Sequence, residues 1–411
     1  MPCTLVIIHP SFAMNTFIRL FVLAIALTAA TASAQRDPHD LGDLFISADL
    51  HTIAVHVSGS TPEINTLANL AFKAHGRYRL VTTGGAYDIQ FSQVAPSQVQ
   101  VNVTKGGANV LSQVAAGTSM RNAFFRAADL AVKATSGLKG FFSSRLTFIS
   151  DYSGHPEVFT SDLFFGEVKQ ITHDNAQAMT PRWSPDGGKI LYTSFYKSGF
   201  PDIFLIDLNT VQRTTFVSFK GTNSGARFSP DGSQVAMVLS GEGNPEIYVC
   251  NAQGRQVSRR TRTPSVEASP CFSPDGSRLV FTSDAAGSPQ LYVMAVAGGS
   301  AQRLPTAISG YCAEPDWSRG DPNKIAFTVR SSRGFQIATY DFSGKTPTKV
   351  VSKAPMDAVE PSWLADGRHL VYTERAANSR SLCLLDTETG KSTRLSPPSL
   401  RQASQVSVWN P

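Results

Sequence analysis

A Ser-Pro-Asp-Gly turn returns along this chain at an almost constant interval, and few folds tolerate such spacing. It stands at Trp183-Ser184-Pro185-Asp186-Gly187, at Phe228-Ser229-Pro230-Asp231-Gly232 and at Phe272-Ser273-Pro274-Asp275-Gly276. It then decays to Trp317-Ser318-Arg319-Gly320-Asp321 and Trp363-Leu364-Ala365-Asp366-Gly367. The leading aromatics are separated by 45, 44, 45 and 46 residues. Proline fixes φ, aspartate bonds its own backbone and glycine accepts positive φ, so each copy reverses the chain at low cost.

A second punctuation follows the first three copies, at Gly199-Phe200-Pro201-Asp202, Gly243-Asn244-Pro245-Glu246 and Gly287-Ser288-Pro289-Gln290. Each copy therefore reads as four antiparallel strands joined by tight turns. Four strands in roughly 40–50 residues is the signature of a propeller blade. Upstream, Arg145–Asp151, Gly154–Phe159 and Glu167–Thr172 read as strands two, three and four of a further blade that lacks its innermost strand. The last residues, 406–411, supply it: Trp409 lies 46 positions beyond Trp363. Five whole blades and one split blade predict a six-bladed ring closed by the C-terminal strand, which leaves no open sheet edge.

Residues 17–32 are apolar apart from Arg19 and two threonines, and Ala32-Ser33-Ala34 matches a small-x-small cleavage site, so residues 1–34 read as a secretory signal peptide. Without them the net charge is +5, too mild to imply nucleic acid. Residues 35–47 read as a polar arm ending in Leu44-Phe45-Ile46. Ile53, Val55 and Val57 alternate as one face of a strand, and Ile64, Leu67, Ala68 and Ala71 have helical spacing. Further strands follow at Tyr78–Val81, Asp88–Phe91, Gln98–Val103 and Val110–Val114, then a helix through Phe124, Phe125, Ala128 and Val132. The fold class is mainly β: a small α/β domain (residues 35–140 with the arm) before a propeller at 141–411.

Asp186, Asp231 and Asp275 read as turn stabilisers rather than catalytic or calcium-binding carboxylates. Trp183, Trp317, Trp363 and Trp409 read as inter-blade packing rather than a ring for stacking a ligand. Arg255, Arg259, Arg260 and Arg262 read as a solvated outer strand. His56 reads as structural, and Cys250, Cys271, Cys312 and Cys383 as buried thiols rather than disulfides. No Gly-x-Ser-x-Gly elbow, zinc-binding helix or dinucleotide fingerprint occurs, so no catalysis, cofactor or metal is expected.

A leader, a small α/β domain and a ring of Trp-Ser-Pro-Asp-Gly repeats together resemble the TolB family, periplasmic propellers of the Tol-Pal cell-envelope system. The resemblance implies a non-enzymatic, monomeric periplasmic scaffold. It would link the outer membrane and peptidoglycan to inner-membrane components, support envelope integrity and constriction at division, and meet membranes only through its partners. Those partners would be the peptidoglycan-associated lipoprotein Pal and the C-terminal domain of TolA. Pal is expected on loops preceding the repeat aromatics, at Thr222, Asn223, Gly225, Arg227, Glu267, Ala268, Ser269, Glu314 and Glu360. TolA is expected on the arm at Asp43, Leu44, Phe45 and Ile46. The competing reading is an exported propeller enzyme, or a small-molecule or cation binder using the central channel.

Overall fold

The structure, a computed structural model, describes residues 52–411. The expected leader and the arm with Asp43, Leu44, Phe45 and Ile46 lie outside the described residues.

The α/β domain opens with β1 (Ile53–Gly59), α1 (Pro62–Ala74) and β2 (Tyr78–Leu80), followed by β3 (Tyr87–Ala95), β4 (Gln98–Lys105), β5 (Ala108–Ala116) and α2 (Met120–Ser136). The sheet order is β2-β1-β3-β4-β5. β1 pairs in parallel with β2 and β3, and the rest is antiparallel. Thr61 caps α1 by accepting from the Ile64 N–H at 3.2 Å, with Pro62 in the first turn where its missing donor costs nothing. Ser119 caps α2, and Gly137, at φ 74°, ends it in the left-handed conformation that glycine adopts freely. Val55, Ile89, Phe91, Val99 and Val101 on the sheet are buried with Phe72, Phe124 and Phe125 from the helices, giving an aromatic-rich core.

Six four-stranded sheets follow, and the ring closes as the repeat spacing predicts. The C-terminal strand Ala403–Trp409 pairs antiparallel with Arg145–Ser150, completing the blade that continues through Glu157–Asp162 and Lys169–Gln170. That outermost strand is only two residues long, against the six expected from the sequence; an outer strand has solvent on one side and little apolar surface to bury. The middle strands carry the apolar runs: Lys189–Ser194, Gln234–Leu239, Arg278–Ser283, Lys324–Ser331 and His369–Ala376 each hold five consecutive buried residues.

The turn chemistry is as the sequence implies. Ser184 Oγ donates to Asp186 Oδ1 at 2.5 Å, and Ser229–Asp231 and Ser273–Asp275 repeat this contact at the same distance. These bonds favour the charged form and hold Asp231 and Asp275 down at about 2. Two of the tryptophans tie neighbouring blades together: Trp363 Nε1 donates to Asp316 O at 3.1 Å and Trp409 Nε1 to Pro185 O at 3.0 Å. All four cysteines among the described residues are buried and free.

Candidate functional site at the two mouths of the ring

Blade geometry gives the ring two unlike faces. On one, which we call the loop face, each innermost strand starts beside the loop joining strands two and three of the preceding blade. The N–H groups of Ala178, Asn223, Glu267 and Cys312 donate to the carbonyls of Pro156, Pro201, Pro245 and Pro289 at 2.8–3.0 Å. The opposite, turn face carries the Ser-Pro-Asp-Gly turns.

The nine residues expected on loops instead lie within or beside the innermost strands, and the structure separates them. Gly225, Arg227, Ser269, Glu314 and Glu360 come together with Thr180, Arg182 and Gln405 around a channel cavity of about 150 Å³. Asn223 and Glu267 are fully buried at strand starts. Asn223 Nδ2 donates to the Phe219 carbonyl at 2.8 Å, bracing its loop. Glu267 accepts from Thr263 and Ser283 hydroxyls, and burial beside Glu246 holds it above the usual carboxylate range. Thr222 donates its N–H to Ser240 Oγ at 2.8 Å, and Ala268 is half-buried.

One position of every innermost strand is a bulge with left-handed backbone: Thr180 (φ 49°), Gly225 (64°), Ser269 (50°), Glu314 (55°), Glu360 (57°) and Gln405 (57°). The strand register slips at all six places. The bulge frees an N–H toward the channel, and long bulge side chains satisfy it one blade on. Glu360 N–H donates to Glu314 Oε2 (3.1 Å), Gln405 N–H to Glu360 Oε2 (2.8 Å) and Thr180 N–H to Gln405 Oε1 (2.7 Å). Burial, with Glu360 next to it, raises the Glu314 carboxyl above its ordinary range. Glu314 and Glu360 are recognisable as matching positions in the repeats, but this relay is not, because the bulge is a pairing event rather than a residue type.

Outside the channel, the loop face carries exposed apolar residues that sequence reasoning passed over. Tyr152, Tyr196 and Phe200 lie on loops between strands two and three; Phe219, Val266 and Met356 lie on loops leading into innermost strands. Phe200 is 67% exposed. Their backbone is braced: Tyr152 and Tyr196 N–H donate to buried Ser150 and Ser194 Oγ, Phe219 N–H to Asn223 Oδ1, and buried Glu246 and Gln336 accept from Thr263 and Ala354 N–H in the loops carrying Val266 and Met356. A rigid collar of apolar side chains suits the surface of another protein.

On the turn face the α/β domain is seated on the fifth whole blade. His369 Nε2 lies 2.5 Å from the His75 carbonyl, and its Nδ1 lies 2.6 Å from Asp366 Oδ2. Lys391 Nζ donates to the Lys73 carbonyl at 2.7 Å, so a cationic donor meets the carbonyl end of α1. The fully buried His75 ring stacks on Phe141 (4.9 Å) and meets His369 edge-on (4.5 Å). Burial lowers its pKa well below the ordinary histidine value. Ligating atoms of His75, Asp366 and His369 lie within 4.8 Å of one another, yet the pairings just given make this cluster the joint between domains. Asp129 fixes the connecting segment, accepting from Phe142 N–H (2.6 Å) and from Ser143 N–H and Oγ, and burial pushes it up to about 6. His56 pairs with Asp88 on the sheet. Arg259, expected in solvent, pairs with Glu242 and Glu246.

Comparison with known proteins agrees with this architecture. Two curated relatives named Tol-Pal system protein TolB, from Desulfosudis oleivorans and Desulfotalea psychrophila, are 35% and 33% identical over 128 and 130 residues. Each match covers 31% of this chain, and the chain spans only 29–30% of the length of those relatives. The crystal structure of TolB from Acinetobacter baumannii superposes with a TM-score of 0.78 at 24% identity, over 87% of this chain and 96% of that one, a likeness of fold. Among the described residues no helix is long and apolar enough to cross a membrane. Residues 132–411 match the family described as PD40, TolB beta propeller domain, and the chain belongs to that family.

Proposed function

We propose that this protein is a non-enzymatic component of a Tol-Pal system in the periplasm, and that the loop face of its ring is where it docks a protein partner. The observation that carries the reading is the apolar collar of Tyr152, Tyr196, Phe200, Phe219, Val266 and Met356 around the channel mouth. Interface cores are enriched in aromatic residues and methionine, and a collar fixed on braced loops loses little entropy when covered. The curated relatives' names support the choice of system.

The partner proposed for this face is the peptidoglycan-associated lipoprotein Pal, with Glu314 and Glu360 in the throat and the collar around it. The arm at 43–46 is proposed for the C-terminal domain of TolA. Together these contacts would link outer membrane and peptidoglycan to inner-membrane components and support envelope integrity and constriction. Titration of the purified protein with the soluble domain of Pal in a calorimeter tests the reading. Saturable one-to-one binding is expected; no heat and no co-elution at micromolar concentration would refute it.

A further inference from the structure

The turn-face mouth of the channel opens into a second, larger cavity of about 480 Å³, within the roughly 300–1,000 Å³ range of small-molecule sites. Arg182, Arg227 and Arg319 reach it from the ring, and Lys139 reaches it from the segment joining the two domains. Two acids also line it, Asp316 and Asp366, and both are already committed. Asp316 pairs with Arg227 at 2.7 Å and accepts from Trp363 N–H at 2.8 Å. Asp366 is held by His369.

That leaves three cations with no ion-pair partner among the described residues. Arg182 donates only to the backbone carbonyls of Pro181 (2.9 Å) and Val406 (3.4 Å), and among the described residues neither Arg319 nor Lys139 has an ion-pair partner. Burial, and Arg227 beside it, pull the Arg182 pKa down to about 10 against the opposing influence of Asp316 and Glu360, so the guanidinium stays charged at neutral pH. Asp316 and Glu360 offset part of the cost of burial from a distance without bonding the guanidinium, and the low-dielectric walls strengthen its attraction for a further anion. Trp183 also lines the cavity, and its buried Nε1 has no hydrogen-bond acceptor. The Arg182 fork, held only by backbone carbonyls, the exposed Arg319 fork and the orphaned indole N–H can all donate to an added oxygen acceptor.

We propose that this cavity is a binding site for a small multivalent oxyanion, a carboxylate or a phosphate, gripped by Arg182 and Arg319 from the ring and by Lys139 from the inter-domain segment. A metal cation would meet the wrong charge there, and a nucleic-acid strand would not fit a pocket closed by six blades. Because Lys139 belongs to the connection between domains, an occupied site would tie that segment to the ring.

The molecule carries its own reporter. Its four tryptophans, Trp183, Trp317, Trp363 and Trp409, all line the cavity. Intrinsic fluorescence of the full chain should therefore change saturably on titration with citrate or with inorganic phosphate at constant ionic strength, the two arms distinguishing the carboxylate from the phosphate source. Arg182→Gln should weaken binding at least about tenfold, the scale of one lost charged hydrogen bond. Should that variant fail to fold, Arg319→Gln at the exposed mouth should weaken binding in the same direction. The proposal is overturned if neither anion gives a saturable change, if chloride reproduces the response, or if the folded variants bind as tightly as the parent.

Discussion

The backbone N–H of Glu360 donates to Oε2 of Glu314, 46 residues earlier and one blade back, at 3.1 Å. The same Glu360 then accepts from Gln405 N–H at 2.8 Å and from Thr373 Oγ1 at 2.7 Å. Neighbouring blades are thus joined inside the channel by side chains acting as acceptors for bulged backbone. Glu360→Ala should leave the Gln405 donor only its longer contact with Thr373 Oγ1 at 3.2 Å and cost about 1 kcal/mol, whereas Glu360→Gln keeps the nearer acceptor and should lose less. Urea unfolding of the two variants checks the order; equal losses would mean the relay contributes nothing.

One turn motif offers a matched pair of substitutions. Gly187 and Gly232 occupy the same place in two copies, at φ 70° and 74°, so alanine at either pays a left-handed penalty of about 1–2 kcal/mol. At Gly232 a new Cβ meets Pro185 at a comfortable 3.7 Å, but at Gly187 it would fall 2.4 Å from the Trp409 ring. Gly187→Ala should therefore be worse than Gly232→Ala by about 1–3 kcal/mol, the usual range for overpacking. Chemical denaturation of both checks this.

The joint between domains should respond to acid. Because the folded-state pKa of His75 lies below its unfolded value, the unfolded chain binds more protons near pH 6. Its contribution is complete above about pH 6.5 and falls as pH drops below that, by up to about 1.4 kcal/mol per pH unit. Asp366, Asp386, Arg368 and His369 face the same ring, and the two acids, whose pKa values are depressed, stay charged through this window. His75→Phe should flatten the stability profile between pH 5 and 7 relative to the parent, as read by thermal melts. An unchanged slope would exclude His75 as its source.

Closure of the ring predicts a large effect from a small deletion. Removing 403–411 exposes the edge of Arg145–Ser150 and takes away Trp409 and its bond to Pro185. The loss should exceed about 5 kcal/mol, comparable with the whole stability of a typical domain. A cooperative melt at the parental temperature would contradict closure by this strand.

Much of this was legible in the residues because turn chemistry and strand alternation are local. Pro185-Asp186-Gly187 and its copies announce blade number and even the split blade, since a missing inner strand at Arg145 has its counterpart at Trp409. The bulges were not legible: Thr180, Ser269, Glu314 and Gln405 share no side-chain property that demands left-handed backbone, and only pairing imposes it. Nor was the joint, whose His75 and His369 lie 294 positions apart. A trace of it does stand in the sequence. The fifth copy of the turn has lost its serine and proline, and its Asp366 binds His369 instead of a serine hydroxyl, at the blade where the α/β domain rests. The apolar collar was visible residue by residue, Phe200 above all, but its gathering on one face required the ring.

The central claim is that the loop face, and not the turn face, meets the partner, and calorimetry with the soluble domain of Pal tests it most directly. Phe200→Ser with Met356→Ser removes two exposed collar residues without touching the core, while Asp231→Asn alters the opposite face. The account predicts that the collar variant binds at least about tenfold more weakly, as for loss of interface anchors, and that the turn variant binds like the parent. Parental affinity in the collar variant, with the loss appearing in the turn variant, would contradict it.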